Sequence, residues 1–424
     1  MRTAGAEVRG DPLEGFLSEA REVSGPAFYF ERGPSLAGDR RWAIYGSAGE
    51  EPCTLRSPRD VGTLAEKLGG LRTSAESRWF GYLGFDACGL FEPLLRASVP
   101  SGSPFPLGQF YRFSRIRSGR PRLPGAGGRR DPGALTVGPV RDQTSAARFE
   151  ESVRKLQRSI LDGEAFQVVL AHRRERYRSG SLLRLLCRLR DRERYAYLFY
   201  LRFGPGDRGE VVGASPESVL EVRDGRATID PIAGTLPHPG PRRGRRARLP
   251  LRSDPKELAE HRMLVDLARN DLGKVCQPGS VRVLRQEVRV RYAHLEHLVS
   301  RVGGDLRPEE TAVSALASAF PAGTVSGAPK IRAIQLLRRE EQTWRGPYAG
   351  AVGLFGPGRQ ADFALAIRTA FAFGPRLFTA AGAGIVQASR PKQEWEETHH
   401  KLSTLEAILA ESSHGGADAG EGRS

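Results

Sequence analysis

Apolar residues recur every three to four positions in two long stretches of this chain, which predicts two amphipathic helices. The first covers residues 253–273. Asp254 can cap its N-terminus, Pro255 suits its first position, and Glu257 completes a capping box. Gly273 suits the position just past its end. Its apolar stripe consists of Leu258, Leu264, Val265, Leu267 and Ala268.

The second helix is predicted over residues 389–409, with Ser389 and Pro391 at its start. Glu394, Glu397 and Lys401 follow at spacings of three and four, so they share one face. Glu257 and Glu260 share a face of the first helix in the same way. If the two acidic faces meet, up to four carboxylates surround one cavity, and an all-oxygen ligand set favours a hard cation such as Mg²⁺. Exposed acidic helix faces without any metal show the same pattern.

Alternating apolar and polar residues predict strands that are grouped as hairpins rather than separated one by one by helices. This grouping favours an α+β fold over a doubly wound parallel sheet. A loop rich in Gly, Pro and Arg at residues 118–134 is the best candidate for an internal boundary. We therefore divide the chain into an N-terminal region, 1–135, which we expect to share one fold with the rest and which could carry a regulatory site, a main region, 144–410, and a disordered tail, 411–424.

The formal charge of +16 and the pI near 10.2 are high for a globular protein. A nucleic-acid partner could explain them, as could attraction of a polyanionic small substrate. The arginines are scattered apart from a cluster at residues 242–248, and no aromatic stacking pattern accompanies that cluster. An arginine-rich nucleic-acid binder is therefore the weaker hypothesis.

The four cysteines are far apart and show no C-x-x-C spacing, which argues against a zinc site and a disulfide framework. No signal-peptide pattern and no uninterrupted apolar run of about 18 residues are present. We expect a soluble, cytoplasmic protein with reduced thiols. The cysteines are Cys53, Cys88, Cys187 and Cys276.

Several motifs, in order along residues 144–409, together resemble the chorismate-utilising enzymes, and most closely component I of anthranilate synthase. Residues 1–140 match more loosely, through GYLGFDA at 81–87. The motifs are GEAFQVVLAHR (163–173), ASPE (214–217), DPIAGT (230–235), KELAEHRMLVDLARNDLG (256–273), YAHLEHLVS (292–300), FPAGTVSGAPKIRA (320–333), RGPYAGAVG (345–353), AIRT (366–369), and GAGIV followed by EWEETHHK.

The resemblance implies two packed, mainly antiparallel β-sheets with helices outside and an active site in a cleft. It implies conversion of chorismate and ammonia to anthranilate and pyruvate, with Mg²⁺. The ammonia would come from a glutamine amidotransferase subunit, so we expect a hetero-oligomer. Alternatives within the family are aminodeoxychorismate synthase component I and 2-amino-2-deoxyisochorismate synthase.

The resemblance also assigns roles to the two acidic helices. Glu260 and Glu397 would be Mg²⁺ ligands. Glu257 and Glu394 would hold metal-bound water or coordinate directly. Lys401 could hydrogen-bond the ring carboxylate of the substrate or balance the acids.

For the chemical steps, Glu217 resembles the family's general acid, because a ring hydroxyl leaves poorly without a proton. His297 resembles the active-site histidine beside the ring. Arg368 and Tyr348 would bind the carboxylate of the enolpyruvyl arm. The remaining pocket residues implied are backbone N–H groups of Gly382, Ala383 and Gly384, and the ring contacts Gly234, Thr235 and Thr324.

Two positions discriminate between family members. Members that add water to the ring carry lysine where this chain has Gln167, and an amide cannot act as that base. Members that make aminodeoxychorismate carry a nucleophilic lysine where this chain has Ala233. Both residues leave external ammonia as the nucleophile.

The chain departs from the family at the tryptophan feedback site. The first stretch of that site is FYFER (28–32), with Arg32 where serine is usual. The second is ERYAY (193–197), without the usual prolines. Feedback inhibition by tryptophan could therefore be lost, or it could survive with altered contacts.

Overall fold

The computed structural model describes residues 6–8, 10–34, 41–69, 77–122, 132–192, 195–204, 209–237, 255–292, 295–341 and 343–414. Within those ranges, the side chains of 98, 233–237, 255–257, 291, 292, 295, 296 and 412–414 are also outside the description. The arginine cluster at 242–248, the predicted cap Asp254 and residues 415–424 of the predicted tail therefore lie outside the described residues.

The described residues form helices and strands in the following order. The helices are α1 (Pro12–Glu22), α2 (Pro58–Gly69), α3 (Cys88–Phe91), α4 (Ala146–Leu161), α5 (Leu183–Arg192), α6 (Pro255–Gly273), α7 (Ala312–Ala319), α8 (Gly323–Ser326), α9 (Lys330–Glu341) and α10 (Pro391–His414). The strands are β1 (Ala6–Glu7), β2 (Ala27–Arg32), β3 (Trp42–Ser47), β4 (Cys53–Leu55), β5 (Arg78–Leu83), β6 (Gly108–Phe113), β7 (Ile116–Gly119), β8 (Leu135–Val137), β9 (Arg141–Asp142), β10 (Gln167–Gly180), β11 (Tyr197–Arg202), β12 (Gly209–Ser215), β13 (Ser218–Arg223), β14 (Arg226–Ile229), β15 (Ile232–Pro237), β16 (Arg282–Tyr292), β17 (Leu295–Asp305), β18 (Gly327–Ala328), β19 (Ala351–Gly356), β20 (Gln360–Leu365), β21 (Thr369–Phe373) and β22 (Arg376–Ile385).

These strands form two sheets. The first has the order β1-β7-β3-β2-β11-β12-β21-β22-β10-β18, with β8 and β9 also paired to β10. The second has the order β15-β17-β14-β13-β20-β19-β5-β6-β4, with β16 paired to β17. Strands β1 and β7 are parallel, while β10 and β22, and likewise β15 and β17, are antiparallel. The predicted α+β fold with two mainly antiparallel sheets is confirmed.

The N-terminal strands lie inside both sheets rather than forming a separate unit. Strand β2 lies between β3 and β11, and β5 lies between β19 and β6. Alternation along β2 sends Phe28 and Phe30 into the core between the sheets and Tyr29 into a second core. Phe28 stacks on Phe80 of the second sheet with ring centroids 4.3 Å apart. The described N-terminal strands therefore complete the same sandwich as the rest of the described chain.

Two helices differ from the sequence prediction. Asp11 caps α1 by accepting a hydrogen bond from the backbone N–H of Leu13 at 3.3 Å, although the start of the chain gave no predicted helix. Helix α10 continues to His414, past its predicted end at residue 409 and into the first four residues of the predicted tail. The apolar stripe predicted for this helix is buried, with Leu405, Ile408 and Leu409 in the second core.

Candidate active site

Glu217 lies in the turn between β12 and β13, where the chain crosses from one sheet to the other. Its backbone N–H donates to the hydroxyl of Ser215 at 3.2 Å, and its backbone carbonyl accepts from Leu365 N–H at 3.0 Å. These bonds fix the turn. The Thr324 hydroxyl donates to Glu217 Oε1 at 2.7 Å, which orients the carboxyl group.

The Glu217 side chain is buried beside a cavity of about 30 Å³. Apolar residues of α6, including Leu264 and Leu267, line this cavity together with Thr324. Burial raises the pKa of Glu217 from 4.5 to about 8, against a smaller lowering by the Thr324 hydrogen bond. At neutral pH the acid is therefore mostly protonated and able to donate a proton.

Gln167 and Glu260 come together from different elements. The Gln167 amide Nε2 donates to Glu260 Oε1 at 3.2 Å, which joins the start of β10 to α6. Gly384 faces Gln167, and a Cβ there would lie 2.6 Å from Gln167 Nε2. The predicted amide and carboxylate thus share one wall of the site, and glycine at 384 keeps that wall open.

The glycine-containing end of β22 runs antiparallel to β10 at this wall, with Gly384 opposite Val169 and Gly382 opposite Ala171. The Tyr348 hydroxyl lies close to the strand, because a Cβ on Gly382 would be 3.2 Å from it. Burial raises the pKa of Tyr348, so its phenol stays neutral and can donate a hydrogen bond. Ala383 is fully buried, so its side chain packs in the core.

Helix α10 reaches the same strand through Lys401. Its ammonium group donates to the Gly382 carbonyl at 2.8 Å and lies 2.7 Å from Glu397 Oε1. Glu397 is exposed, whereas Glu394, one turn earlier, is partly buried. Contacts therefore extend from Glu397 through Lys401 to the strand that borders Gln167.

The remaining predicted residues lie around these walls. His297 is buried on β17, and Thr235 on β15 is its register partner. The register shifts between Ala233 and Thr235, which places Gly234 at the irregularity. Arg368 follows β20 with a backbone φ of +50°, a left-handed conformation that is uncommon outside glycine. The side chains of Ala233, Thr235 and Glu257 lie outside the described residues.

A large cleft opens beside Gln167 and Glu260, with a volume of about 1140 Å³. Leu267 and Asp271 line both this cleft and the small cavity beside Glu217. Asp271 and Lys330 form an ion pair of 2.6 Å at the cleft wall, with side-chain exposures of 5% and 11%. No role for this ion pair was predicted from the sequence, although Asp271 lies in the motif RNDLG and Lys330 in the motif SGAPK.

Comparison with protein families gives residues 128–407 as a match to the chorismate binding enzymes. The chain belongs to this family. Anthranilate synthase component 1 of Saccharolobus solfataricus is 39% identical over 339 residues, which are 78% of this chain and 80% of that protein. The Streptomyces coelicolor protein of the same name is 36% identical over 95% of this chain and 85% of its own. A 2-amino-4-deoxychorismate synthase of Streptomyces globisporus is 41% identical over 64% of this chain and 55% of its own.

Solved structures give the same fold. Anthranilate synthase component I from Streptococcus pneumoniae superposes with a TM-score of 0.69 at 25% identity, covering 96% of this chain and 95% of that one. Within the chorismate binding enzymes, this chain is an enzyme of the anthranilate synthase component 1 type. In the described part of the chain no helix is long and apolar enough to span a membrane.

The N-terminal region of this chain contains a buried cation. Arg32 is 4% exposed, and its guanidinium lies 2.8 Å from Glu221 and 2.8 Å from Asp362. It also lies over the ring of Tyr197, 5.4 Å from the centroid. These partners join β2 in the first sheet to β13 and β20 in the second. The position at which the resemblance expects serine is thus filled by a large, internally paired side chain.

The family resemblance implies a Mg²⁺ site between α6 and α10, and the donor types suit it. Glu260, Glu394 and Glu397 offer carboxylate oxygens, which hard cations prefer. Among the described side chains, these three do not form a group whose ligand atoms all lie within 4.8 Å of one another. Coordination would therefore use bridging water or a closer approach of the two helices.

Proposed function

We propose that this protein is the chorismate-binding component of an anthranilate synthase, acting in the cytoplasm. It would convert chorismate and ammonia to anthranilate and pyruvate, the first step of tryptophan biosynthesis. A glutamine amidotransferase partner would supply the ammonia. The observation that carries this proposal is a carboxyl group, Glu217, that is buried, oriented by Thr324 and protonated at neutral pH.

Glu217 fits the most demanding step of the reaction. Replacing a ring hydroxyl by an amine requires the C–O bond to break, and hydroxide is a poor leaving group. A protonated carboxyl transfers its proton to that oxygen, so that water leaves instead. Because the Thr324 hydroxyl already donates to one oxygen, the acidic proton is directed to the other, Oε2.

The walls of the site supply partners for a substrate with two carboxylates. Backbone N–H groups near Gly382 and Gly384, the Tyr348 hydroxyl and the Arg368 guanidinium suit one carboxylate. Mg²⁺ held by the acids of α6 and α10 would neutralise the ring carboxylate and the acids around it. Lys401 would hold Glu397 towards the glycine strand.

Gln167 and Ala233 support ammonia as the attacking group. The amide of Gln167 donates to Glu260 and cannot remove a proton from water, while a methyl group at residue 233 cannot attack the ring. A relative named 2-amino-4-deoxychorismate synthase makes release of an aminated, pyruvyl-bearing product the second candidate. The two candidates differ in whether pyruvate is eliminated.

The test is the product formed from chorismate. Purified protein is mixed with chorismate, an ammonium salt and Mg²⁺, and anthranilate is followed by fluorescence and mass spectrometry. We expect anthranilate and pyruvate in equal amounts, and loss of both when Mg²⁺ is omitted. An aminated product that retains the pyruvyl arm would favour the second candidate. Folded protein that makes neither product would refute the proposal.

The partner is tested by replacing the ammonium salt with glutamine. The chain alone should then be inactive, because no ammonia is released. Adding an amidotransferase subunit should restore anthranilate formation. Equal turnover of glutamine without any added protein would contradict the proposed division of labour.

A further inference from the structure

A cluster of two histidines and one aspartate lies on the outer side of the first sheet, apart from the proposed Mg²⁺ site. It is formed by Asp142 of β9, His172 of β10 and His399 of α10. One ligand atom from each lies within 4.8 Å of the other two. His172 and Gln167 differ by an odd number of positions on β10, so their side chains point to opposite faces of the sheet. The cluster is thus separated by the sheet from Gln167.

Hydrogen-bond partners from α10 lie at the Nδ1 side of both imidazole rings. His399 Nδ1 lies 3.1 Å from the Trp395 carbonyl, which can only accept, so Nδ1 is the protonated nitrogen. The Thr398 hydroxyl donates to that carbonyl at 2.8 Å, which leaves its oxygen as an acceptor towards His172 Nδ1 at 3.5 Å. His399 Nε2 is therefore left with a lone pair, and both rings present Nε2 towards Asp142.

Both Nε2 atoms face the same carboxylate. His172 Nε2 is 3.0 Å from Asp142 Oδ1, and His399 Nε2 is 4.0 Å from Asp142 Oδ2. His172 is 1% exposed, and among the described residues its buried Nε2 faces no partner other than Asp142. Two imidazole nitrogens and one carboxylate thus converge, an arrangement that a cation between them would stabilise.

We propose that Asp142, His172 and His399 bind a divalent transition-metal ion of the Zn²⁺ class. Two imidazole nitrogens and one carboxylate oxygen are a donor set for Zn²⁺, whose ligands in a tetrahedral site lie about 3.3 Å apart. The two nitrogen–oxygen separations in the cluster, 3.0 and 4.0 Å, are within about 1 Å of that value. Water would complete the coordination, because the side chains of Asp142 and His399 are 37% and 31% exposed.

The groups around the cluster suit this role. The Trp395 carbonyl and the Thr398 hydroxyl orient the rings through Nδ1, as outer partners do in known metal sites. Arg174 Nε donates to Asp142 Oδ1 at 2.8 Å and holds that carboxylate in place. Oδ2 is then the oxygen available to the metal. Arg174 is also a competing cation, which makes moderate rather than extreme affinity the expected result.

The site would connect three elements that are distant in sequence. Asp142 and His172 lie on paired strands, and His399 lies on α10, two residues after Glu397. A bound ion would fix α10 against the first sheet independently of any ion on its acidic face. We therefore expect Zn²⁺ to raise the thermal stability of the protein by a few degrees when it is in large excess over its dissociation constant.

The test measures Zn²⁺ binding by the full chain after treatment with a chelator and removal of that chelator. Calorimetry with Zn²⁺ is done in excess Mg²⁺, so that the acidic helices do not contribute. Absorption spectroscopy with Co²⁺ reports whether the coordination is tetrahedral. We expect one equivalent of Zn²⁺, tetrahedral Co²⁺ bands and a rise in melting temperature.

Variants identify the ligands. Asp142→Asn and His399→Ala alter partly exposed side chains and should fold, and each should weaken Zn²⁺ binding at least about 100-fold. His400→Ala is the matched control, because His400 is the exposed neighbour outside the cluster. It should bind as the parent does. No binding by the parent, or equal binding by all the variants, would refute the site and leave the cluster as a packed pair of neutral histidines.

Discussion

Replacing Glu217 by glutamine should make the protein more stable at neutral pH and much less active. Glutamine has nearly the same shape, and its carbonyl can still accept the hydrogen bond from Thr324. What it lacks is the ability to ionise and to donate the acidic proton. The variant therefore separates the chemical role of this side chain from its packing.

The size of the stability effect follows from the raised pKa. The folded-state pKa of Glu217 is about 8 and the ordinary value is 4.5, so folding takes up a proton between these pH values. The free energy of unfolding of the parent consequently falls as pH rises through this window. The accumulated cost at pH 7 is about 3 kcal/mol, which Glu217→Gln removes.

The assay compares denaturant unfolding of the parent and Glu217→Gln from pH 5 to pH 7.5. The difference in unfolding free energy should grow by about 3 kcal/mol over that range, and the melting temperature at pH 7 should rise by about 3 °C for a chain of this length. Anthranilate formation should fall by about 10²–10⁴-fold, the usual contribution of a general acid.

The matched control is Glu396→Gln, which removes an exposed carboxylate from α10. It should change neither the pH dependence of stability nor the turnover appreciably. Our reasoning about Glu217 is refuted if the stability difference stays constant from pH 5 to 7.5. It is also refuted if the more stable variant keeps the parent's turnover.

Three further substitutions test other parts of the site and fold. Glu397→Gln should abolish Mg²⁺-dependent turnover without unfolding the protein, and activity like that of the Glu396→Gln control would remove Glu397 from the metal site. Gln167→Lys should introduce some addition of water to the chorismate ring, seen by mass spectrometry as a hydroxylated product; an unchanged product profile would count against that role. Arg32→Met should lower the unfolding free energy by about 3–5 kcal/mol in urea, because buried Asp362 loses its cation and Glu221 keeps only Arg223; a loss below about 1 kcal/mol would show that Asp362 is compensated otherwise. Because the Arg32 side chain fills its own pocket, tryptophan should not inhibit the parent, and inhibition measured with ammonia as the nitrogen source tests this.

Local signals in the sequence predicted much of the fold. Helix α6 was predicted to within two residues at its start, because Pro255 and Gly273 mark its ends. Helix α1 was missed, although Asp11 and Pro12 give the same kind of signal and Leu13, Phe16 and Leu17 form an apolar stripe. The hairpin grouping of strands indicated an α+β fold, but the order of strands in the sheets depends on pairings between distant segments.

Contacts between distant residues explain what the sequence could not predict at the site. Thr324 and Glu217 are 107 positions apart. The hydrogen bond between them depends on the packing of α8 against the turn after β12, which the sequence alone does not predict. The histidine cluster was not predicted, because His172 and His399 are 227 positions apart in the numbering and only the packing of α10 brings them together. The roles that the family resemblance assigns to Glu217, Gln167 and Lys401 stay predictions, although each of these side chains makes a hydrogen bond at the walls of the site.

Strands β2 and β5 pair with strands from the C-terminal part of the chain, and this pairing determines how the protein would behave if its gene were split. A cut between residues 122 and 132 falls after β7 and before β8. Each product would nevertheless have unpaired strand edges where strands of the other product had been hydrogen-bonded to it. The larger piece would expose β11 and β19, and the smaller would expose β2 and β5. We expect each piece alone to aggregate, whereas synthesis of both in one cell should yield a reassembled, two-chain protein.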